Sequence, residues 1–191
     1  MITATSIRTP RLRLEPLTVR DTGALFALLD DPVLHTFTGG EPRTRAELEA
    51  WIAAVEHGQS PDGTQAWCNW LVVVIETDSV AGTVQATVEG DEASLAWVIG
   101  TGFQGHGYAK EAAAAMAAWL ADQGVTRFRA TIHPDHAASG AVADSWGMKP
   151  TDEVVDGEVV WRSPPATGHR PHRRGIIPER AARRSPRSGV V

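Results

Sequence analysis

The pattern of hydrophobic and polar positions changes several times along the chain, and each change marks a predicted element. Residues 11–16 alternate, as in a strand with one buried face. The segment at residues 18–21 begins a helix, which the Asp-Asp-Pro sequence at residues 30–32 ends. A second helix follows the capping box at residues 44–47, whose threonine and glutamate can bond to the free N–H groups of a first turn. The first fifty residues therefore predict one strand and two helices.

Three apolar, β-branched runs follow, at residues 67–76, 80–89 and 94–99. Only short polar turns separate them, so they predict an antiparallel meander. Residues 107–123 then form an alanine-rich segment of high helix propensity, with Gly124 at its end.

The last predicted elements are a strand at residues 127–132, a helix ending near Gly147, and a hairpin around the two-residue turn Asp156-Gly157. The predicted order is β-α-α-β-β-β-α-β-α-β-β. This order indicates an α/β sandwich in which helices flank a mixed, mostly antiparallel central sheet.

Charge divides the chain into two predicted regions. Residues 1–162 carry 11 Lys and Arg against 22 Asp and Glu, a net charge of −11. Residues 163–191 carry seven Arg and one Glu, are rich in proline, and contain no Phe, Trp or Tyr. We expect a folded domain followed by a disordered, solvated tail. The tail's arginines suit a polyanion, but its composition favours simple solvation over a nucleic-acid partner.

Cysteine content and hydropathy exclude several classes of protein. Cys68 is the single cysteine, which rules out an intramolecular disulfide framework and a site with several thiolate ligands. No run approaches the roughly 18 apolar residues of a membrane span, and the first residues lack the apolar core of a secretory signal. We therefore expect a cytoplasmic protein that has no membrane partner and binds no metal.

Candidate chemistry lies at residues 94–112, which run from a strand through a glycine-rich turn into the alanine-rich helix. Gly100, Gly102, Gly105 and Gly107 allow close approach of the backbone to a ligand, and the unpaired N–H groups of a helix start favour an anion such as a pyrophosphate. The turn has no Gly-Lys-Ser/Thr and does not follow the first strand of a βαβ unit, so a Walker loop and a dinucleotide fold are excluded. The glycines alone leave open whether the turn is structural or binds an anion.

Residues 104–109 (Gln-Gly-His-Gly-Tyr-Ala) resemble the Gln/Arg-x-x-Gly-x-Gly/Ala signature of the GNAT superfamily of acyl-CoA-dependent N-acyltransferases. The element order over residues 11–161 also resembles this family, and residues 130–148 resemble its second cofactor segment. The similarity is greatest to the ribosomal-protein-alanine acetyltransferase-like branch, whose substrates diverge widely. The resemblance implies acetyl-CoA as the cosubstrate.

The resemblance also implies a role for two groups of residues. The CoA pyrophosphate is expected on the backbone of Gln104, Gly105, His106, Gly107, Tyr108 and Ala109. The preceding strand is expected to splay from its neighbour and pair with the pantetheine arm through Trp97, Val98 and Ile99. Acyl transfer needs a donor for the negative charge that develops on the thioester oxygen, and we predict the backbone N–H of Val98 in this role.

Two positions of the second segment differ from the family pattern. The family usually has Asn where this chain has His136, and often a tyrosine general acid where this chain has Ala143. Ser139 keeps the family's serine and is the candidate acid, with helix capping or a cofactor contact as alternatives. His136 is either a CoA contact, an acid, or a solvated side chain.

The general base and the acceptor are less well defined. Glu89, Asp91 and Glu92 near the meander turn are candidate bases, though each is also typical of a solvated turn, so the base stays unassigned. We expect segments 34–45 and 58–70 to wall the acceptor side. Candidate lining residues there are Phe37, Trp51, Trp67 and Trp70.

Three functions remain at this point. The first is an N-acetyltransferase that acts on the primary amine of a small molecule, an aminoglycoside-like antibiotic or a peptide N-terminus; the acidic domain suits a cationic acceptor. The second is a non-catalytic acyl-CoA-binding module that uses its basic tail for partner contact. The third is a simple nucleotide-phosphate binder. A homodimer is an assembly that the family resemblance allows.

Overall fold

The computed structural model describes residues 2–37 and 42–164, which form a single eight-stranded sheet with four α-helices packed on its two faces. The strands run in the spatial order β1-β2-β3-β4-β5-β6-β8-β7. Their bounds are β1 Ile7–Arg8, β2 Leu12–Pro16, β3 Ala66–Val74, β4 Ser79–Glu89, β5 Glu92–Ile99, β6 Arg127–Ile132, β7 Lys149–Val155 and β8 Glu158–Arg162. The helices are α1 Thr22–Leu29, α2 Arg45–Glu56, α3 Tyr108–Asp122 and α4 Ala137–Asp144.

Local sequence explains where these elements begin and end. The Thr44–Glu47 capping box forms at the start of α2, with the Thr44 hydroxyl accepting from the Glu47 N–H and the Glu47 carboxylate accepting from the Thr44 N–H. The turn between β7 and β8 has positive φ at Asp156 (52°) and Gly157 (84°), as a two-residue hairpin turn requires. The predicted order of elements is confirmed, with the two-residue strand β1 as an addition.

Packing differs between the two faces of the sheet. On one face α3 contributes Ala112, Met116 and Leu120 to the larger hydrophobic core. On the other face α1 and α2 pack through Leu25 and Ile52 over β3 and part of β4. Elsewhere on this second face, β4 and β5 keep partly exposed side chains, Thr83 and Gln85 among them, that can meet a ligand.

The only parallel neighbours in the described sheet are β5 and β6, and they pair over a short distance. Glu92, Ala93 and Ser94 of β5 pair with residues 127–129 of β6. From residue 129 to 132, β6 is paired with β8 on its other side. Residues 95–99 thus have a strand neighbour on the β4 side alone. The sheet opens there into a wedge-shaped gap between β5 and β6.

Two predicted boundaries change in the structure. The turn between β4 and β5 contains Gly90 and Asp91 only, and Glu92 already belongs to β5, paired with Glu89. Ser163, placed in the predicted tail, exchanges hydrogen bonds with Phe128 next to the end of β8. The remainder of the predicted tail, from residue 165, lies outside the described residues. No helix within residues 2–37 and 42–164 has the length and apolar character needed to cross a membrane.

Candidate active site

The gap between β5 and β6 presents backbone groups of alternate β5 residues. The Gly100 N–H donates to the Ala81 carbonyl oxygen of the β4 side at 2.9 Å. In an antiparallel ladder every second residue bonds to the same neighbour, so Val98 also directs its N–H and carbonyl towards β4. Trp97 and Ile99 direct theirs into the gap. These two residues can therefore pair with an extended ligand, as the sequence predicts.

The prediction for Val98 needs a correction. Val98 is paired with Thr83, so its N–H is directed at β4 and cannot reach a thioester oxygen in the gap. The side chain of Val98 does line the cavity that adjoins the gap. The choice of β5 as the cofactor strand stays a prediction, and the side to which each of its amides points depends on the register with β4, which the sequence does not specify.

A cavity of about 600 Å³ occupies the gap and the uncovered sheet face next to it. Its apolar lining comes mainly from the segment that includes α1 and the following turn, and from α2. Polar groups come from β4 and from the region where β6 leads into α4. The apolar residues include Leu25, Leu29, Leu34, Phe37 and Trp51; the polar ones include Arg43, Thr83, Gln85, Thr131, His133, His136, Ser139 and Glu158.

The glycine-rich turn holds its backbone N–H groups free. In the described part of the chain, the N–H groups of residues 105–109 donate to no protein acceptor, while Phe103 and Gln104 bond back to Gly100 and Thr101. Gly105 (φ 78°) and Gly107 (φ 79°) adopt the left-handed conformation that glycine alone adopts without cost. The free N–H groups at the start of α3, together with the helix dipole, favour an anionic ligand here.

Gln104 connects this turn to the gap. Its side-chain amide donates to the Ile99 carbonyl oxygen at 3.0 Å. That carbonyl faces the gap and is therefore already engaged, which leaves the Ile99 N–H as the group available to a ligand. Trp97 packs against the hydrophobic clusters on both sides of the gap, so its side chain belongs to the core while its backbone faces the gap.

The second segment brings His136 and Ser139 to the cavity wall. His136 occupies the N-cap position of α4 without a side-chain capping bond, and Ser139 lies one turn further on, half-buried. The Ser139 hydroxyl has no hydrogen-bond partner within residues 2–37 and 42–164, so the capping alternative is wrong. Ala143, at the position where the family often has a tyrosine general acid, is completely buried.

The imidazole of His136 lies in a partly desolvated environment. Burial lowers the pKa of His136, the nearby His133 lowers it further, and the carboxylate of Glu158 opposes both effects. The imidazole is therefore neutral at pH 7. The Nδ1 atom of His133 accepts from the Asp135 N–H at 3.2 Å, which fixes that ring at the cavity edge.

The three bases suggested by the sequence do not reach the cavity. Asp91 accepts hydrogen bonds from Thr126 and Arg127, which hold its pKa below the ordinary value. Glu92 forms ion pairs with Arg127 and Arg162, and Glu89 accepts from Gln65. All three lie at the turn end of the β4–β5 hairpin, whereas the gap opens at the other end of β5.

The sequence missed Glu158, whose carboxylate lines the cavity. It is the first residue of β8, directly after the Asp156-Gly157 turn, so the sequence pattern at this position indicates a hairpin turn and gives no sign of a cavity residue. Antiparallel pairing of β8 with β6 places Glu158 next to the end of β6, where His133 follows. The sequence could have placed Glu158 at the cavity only if the pairing of β8 with β6 had been predicted.

The four predicted aromatic lining residues divide into two pairs. Phe37 and Trp51 line the cavity. Trp70 is fully buried in the core, where its indole N–H donates to the Thr5 carbonyl oxygen, and Trp67 bonds to Gln65 away from the cavity. Segment 58–70 contributes no lining residue among the described ones. Segment 34–45 contributes Leu34, Phe37 and Arg43, and its residues 38–41 lie outside the described part.

Neither metal-ligating side chains nor the single cysteine offer alternative chemistry in the described part of the chain. The described residues contain no cluster of three or more His, Cys, Asp or Glu side chains arranged to hold a metal ion. Burial raises the pKa of the Cys68 thiol to about 11, so this side chain stays protonated within the core.

A sheet that opens between two parallel strands, next to a turn with free N–H groups, defines a site for an extended ligand with an anionic end. The family model "Acetyltransferase (GNAT) domain" matches residues 11–149, which is well over half of the chain. The chain therefore belongs to the GNAT acetyltransferase family. Members of this family transfer acetyl groups from acetyl-CoA, and the protein is accordingly an acyltransferase.

Solved structures show the same fold at low sequence identity. The Agrobacterium tumefaciens acetyltransferase is 23% identical with a TM-score of 0.68, covering 85% of this chain and 95% of that one. The ribosomal-protein α-N-acetyltransferase RimL, solved with coenzyme A, is 17% identical with a TM-score of 0.68 (83% and 97%). The microcin self-immunity acetyltransferase MccE, solved with acetyl-CoA and AMP, is 16% identical with a TM-score of 0.66 (81% and 93%). No curated protein sequence gives a significant match.

Proposed function

We propose that the protein transfers the acetyl group of acetyl-CoA directly to a primary amine bound in the cavity beside the β5–β6 gap. The observation that carries this proposal is the alignment of three features: free N–H groups at residues 105–109, gap-facing backbone groups on Trp97 and Ile99, and the polar cavity beyond them. Together they match the diphosphate, the pantetheine arm and the thioester of one acetyl-CoA molecule.

Cofactor binding follows from the two backbone regions. The residues of the turn with free N–H groups (Gly105, His106, Gly107, Tyr108 and Ala109) hold the diphosphate. The sequence predicts Gln104 among them, but its N–H is bonded to Thr101, and its side chain holds the Ile99 carbonyl instead. The pantetheine amides pair with Trp97 and Ile99 as a neighbouring strand would. His136 and Ser139 at the start of α4 contact the cofactor near its sulfur. Val98 contributes its side chain to the wall of the acceptor cavity.

The chemistry is a nucleophilic attack by the neutral amine on the thioester carbon. The Trp97 N–H, which faces the gap beside the cavity, donates to the carbonyl oxygen as negative charge develops there. The carbon–sulfur bond then breaks, the amine nitrogen loses a proton to the Glu158 carboxylate, and the Ser139 hydroxyl passes a proton to the departing thiolate. Solvent then returns a proton to Ser139 and takes one from Glu158, which restores both side chains. The products are an N-acetylated amine and CoA.

The lining of the cavity favours an amine with an apolar portion. Phe37, Trp51 and the leucines of α1 supply the apolar wall, and among the described lining residues Glu158 is the one that brings a negative charge to the amine. A small-molecule amine, an antibiotic or a peptide N-terminus all present such a group. RimL, a ribosomal-protein α-N-acetyltransferase with the same fold, supports the peptide N-terminus as one class to test.

An acceptor screen tests the proposal. Purified protein is mixed with acetyl-CoA and a panel of small amines, aminoglycosides and short peptides, and thiol release is followed. We expect turnover with at least one class, at least a hundredfold slower in Glu158→Gln and slower in Ser139→Ala. Glu89→Gln at the distant hairpin turn is the matched control and should retain the wild-type rate. CoA binding without turnover on any amine would favour the non-catalytic module, and tighter binding of ATP than of CoA would reject both.

A further inference from the structure

Arg11, at the turn before β2, contacts the glycine-rich turn. One guanidinium nitrogen, Nη1, donates to the His106 carbonyl oxygen at 2.9 Å. The guanidinium carbon also lies 5.0 Å from the centre of the Tyr108 ring, in cation–π contact. Although half of the Arg11 side chain is exposed, its charged end is therefore held at the start of α3.

Glu111 in the first turn of α3 fixes the orientation of Arg11. Its carboxylate accepts from Arg11 Nε at 2.6 Å, from the Arg11 backbone N–H at 3.0 Å, and from the Thr9 hydroxyl at 2.6 Å. Burial alone would raise the pKa of Glu111, but the hydrogen bonds from Thr9 and Arg11 outweigh it and hold that pKa below its ordinary value. The carboxylate is therefore ionised, and its two oxygens accept the three hydrogen bonds from Thr9 and Arg11.

The bond to His106 determines which way the next amide points. The peptide between His106 and Gly107 is trans, as are all described peptide bonds, so its carbonyl and N–H point in opposite directions. A donor that holds the His106 carbonyl on the Arg11 side therefore holds the Gly107 N–H on the other side. The Gly107 N–H held in this way is itself one of the free N–H groups of the turn.

Two more carbonyl groups near the turn are held in the same manner. Gln104 donates to the Ile99 carbonyl, and the His106 ring nitrogen Nδ1 lies 2.9 Å from the Gln104 carbonyl oxygen. Of these three carbonyls, however, only that of His106 accepts from a side chain that is distant in the sequence. Arg11 is the link between the β1–β2 turn and the direction of the Gly107 amide.

We propose that Arg11, held by Glu111, is a positioning residue for acetyl-CoA: it directs the Gly107 N–H at the diphosphate without touching the cofactor. This inference rests on the proposed cofactor site. Preorganised donors bind an anion more tightly because no backbone order has to be created on binding. Removing Arg11 frees the peptide and should weaken every interaction that depends on the diphosphate, and no other interaction.

The test compares two donors that differ in the diphosphate. Acetyl-CoA carries it, and S-acetylpantetheine does not. In Arg11→Met we expect kcat/KM for acetyl-CoA to fall roughly tenfold, or about 1.4 kcal/mol, with kcat/KM for S-acetylpantetheine unchanged. The dissociation constant for CoA, measured by calorimetry, should rise by the same factor. An equal loss with both donors would overturn the proposal, because it would mean general damage to the site, and so would an unchanged rate with acetyl-CoA.

Two further variants serve as controls. One removes a nearby arginine that does not contact the turn, and the other tests for repulsion by an unpaired Glu111 carboxylate. Arg13→Met removes a neighbouring arginine of β2 that is paired with Glu15 and Asp78, and it should leave both donors unaffected. The double variant Arg11→Met/Glu111→Gln removes the carboxylate that would otherwise be left unpaired beside the diphosphate. We expect the acetyl-CoA defect to persist in it; full recovery would mean that charge repulsion, not amide direction, caused the loss.

Failure of the proposed function gives a different result from failure of this inference. If the turn does not bind the diphosphate, the wild-type protein itself will show equal kcat/KM for the two donors. If the turn binds it but Arg11 does not position the amide, the wild-type protein will prefer acetyl-CoA and Arg11→Met will keep that preference.

Discussion

The ring of Phe37 is stacked on the imidazole of His136, with the two centroids 4.4 Å apart and the planes inclined by 25°. Phe37 follows the short 3₁₀ helix Pro32–His35, and His136 is the N-cap residue of α4. Both residues line the cavity, and their contact joins two segments that are distant in the sequence. The stacked pair therefore forms part of the cavity wall.

Removing this contact should affect the acceptor more than the cofactor. We expect Phe37→Ala to raise the KM for the acceptor roughly three- to tenfold, since an aromatic pair contributes about 0.5–1.5 kcal/mol beyond its buried area. The dissociation constant for CoA should change by less than twofold, because the proposed diphosphate site is at the start of α3. Steady-state kinetics with Phe37→Leu as the size-matched control test this. An equal effect on both constants would contradict the assignment of Phe37 to the acceptor side.

The stacked pair also predicts a titration. Because burial is the largest cause of the lowered pKa of His136, its imidazole should titrate below the ordinary value of about 6.5. The unfolded chain then binds this proton more readily than the folded one, so this group contributes a loss of stability as pH falls through 6.5 and none above it. Two-dimensional NMR should show a midpoint below 6.5 in the wild type that moves upwards in Phe37→Ala. A wild-type midpoint at or above 6.5 would contradict the burial.

Gly82 in β4 permits the close approach of β5 at the gap. A Cβ atom at this position would lie 2.0 Å from the Val98 carbonyl oxygen, a contact that only a backbone shift can relieve. We expect Gly82→Ala to lower the free energy of unfolding by roughly 3 kcal/mol. Gly102→Ala is the matched control, because no atom lies within 4 Å of its Cβ, and it should change stability by less than about 1 kcal/mol. Chemical denaturation of both variants measures the difference, and equal stabilities would show that β4 and β5 are not this close.

Gly107 and Gly124 lie just before and just after α3, both in left-handed conformations (φ 79° and 96°). An alanine costs about 1–2 kcal/mol at either position, because its Cβ approaches the following carbonyl oxygen. Both variants should therefore lose similar stability. Only Gly107→Ala should also weaken CoA binding, by roughly tenfold, since it alone alters the free N–H groups of the turn. Calorimetry with CoA decides this, and similar CoA affinities in the two variants would remove Gly107 from the site.

The tail remains a prediction from composition. Truncation after Pro164 removes only residues outside the described part of the fold and keeps the Ser163 bonds to Phe128. If the tail is solvated, as its composition predicts, the melting temperature and CoA affinity should stay within experimental error of the full chain. A lower melting temperature would show that the tail packs on the domain, and weaker CoA binding would show that its arginines assist the anionic cofactor.

Local patterns predicted most of the fold, because capping boxes, turn pairs and hydrophobic periods act over a few residues. The Thr44–Glu47 capping box and the Asp156-Gly157 turn lie where the sequence indicates. Glycine spacing likewise located the turn before α3. Each of these features is determined within a single segment.

Features that depend on pairing between distant segments were not predictable. The direction of the Val98 amide depends on its register with Thr83, and the presence of Glu158 in the cavity depends on the pairing of β8 with β6. The same holds for Arg11, which is almost a hundred positions from the His106 carbonyl that it holds. A register shift of one residue would reverse the amide directions, which no hydrophobic pattern distinguishes.

We expect one acetyl-CoA molecule to bind with its diphosphate on the N–H groups of residues 105–109 and its pantetheine arm in the β5–β6 gap. A crystal structure of the complex with acetyl-CoA is the decisive measurement. It should show diphosphate oxygens within hydrogen-bonding distance of the turn, including the Gly107 N–H, and pantetheine amides paired with Trp97 and Ile99. A cofactor bound outside the gap, or a diphosphate away from this turn, would contradict this expectation.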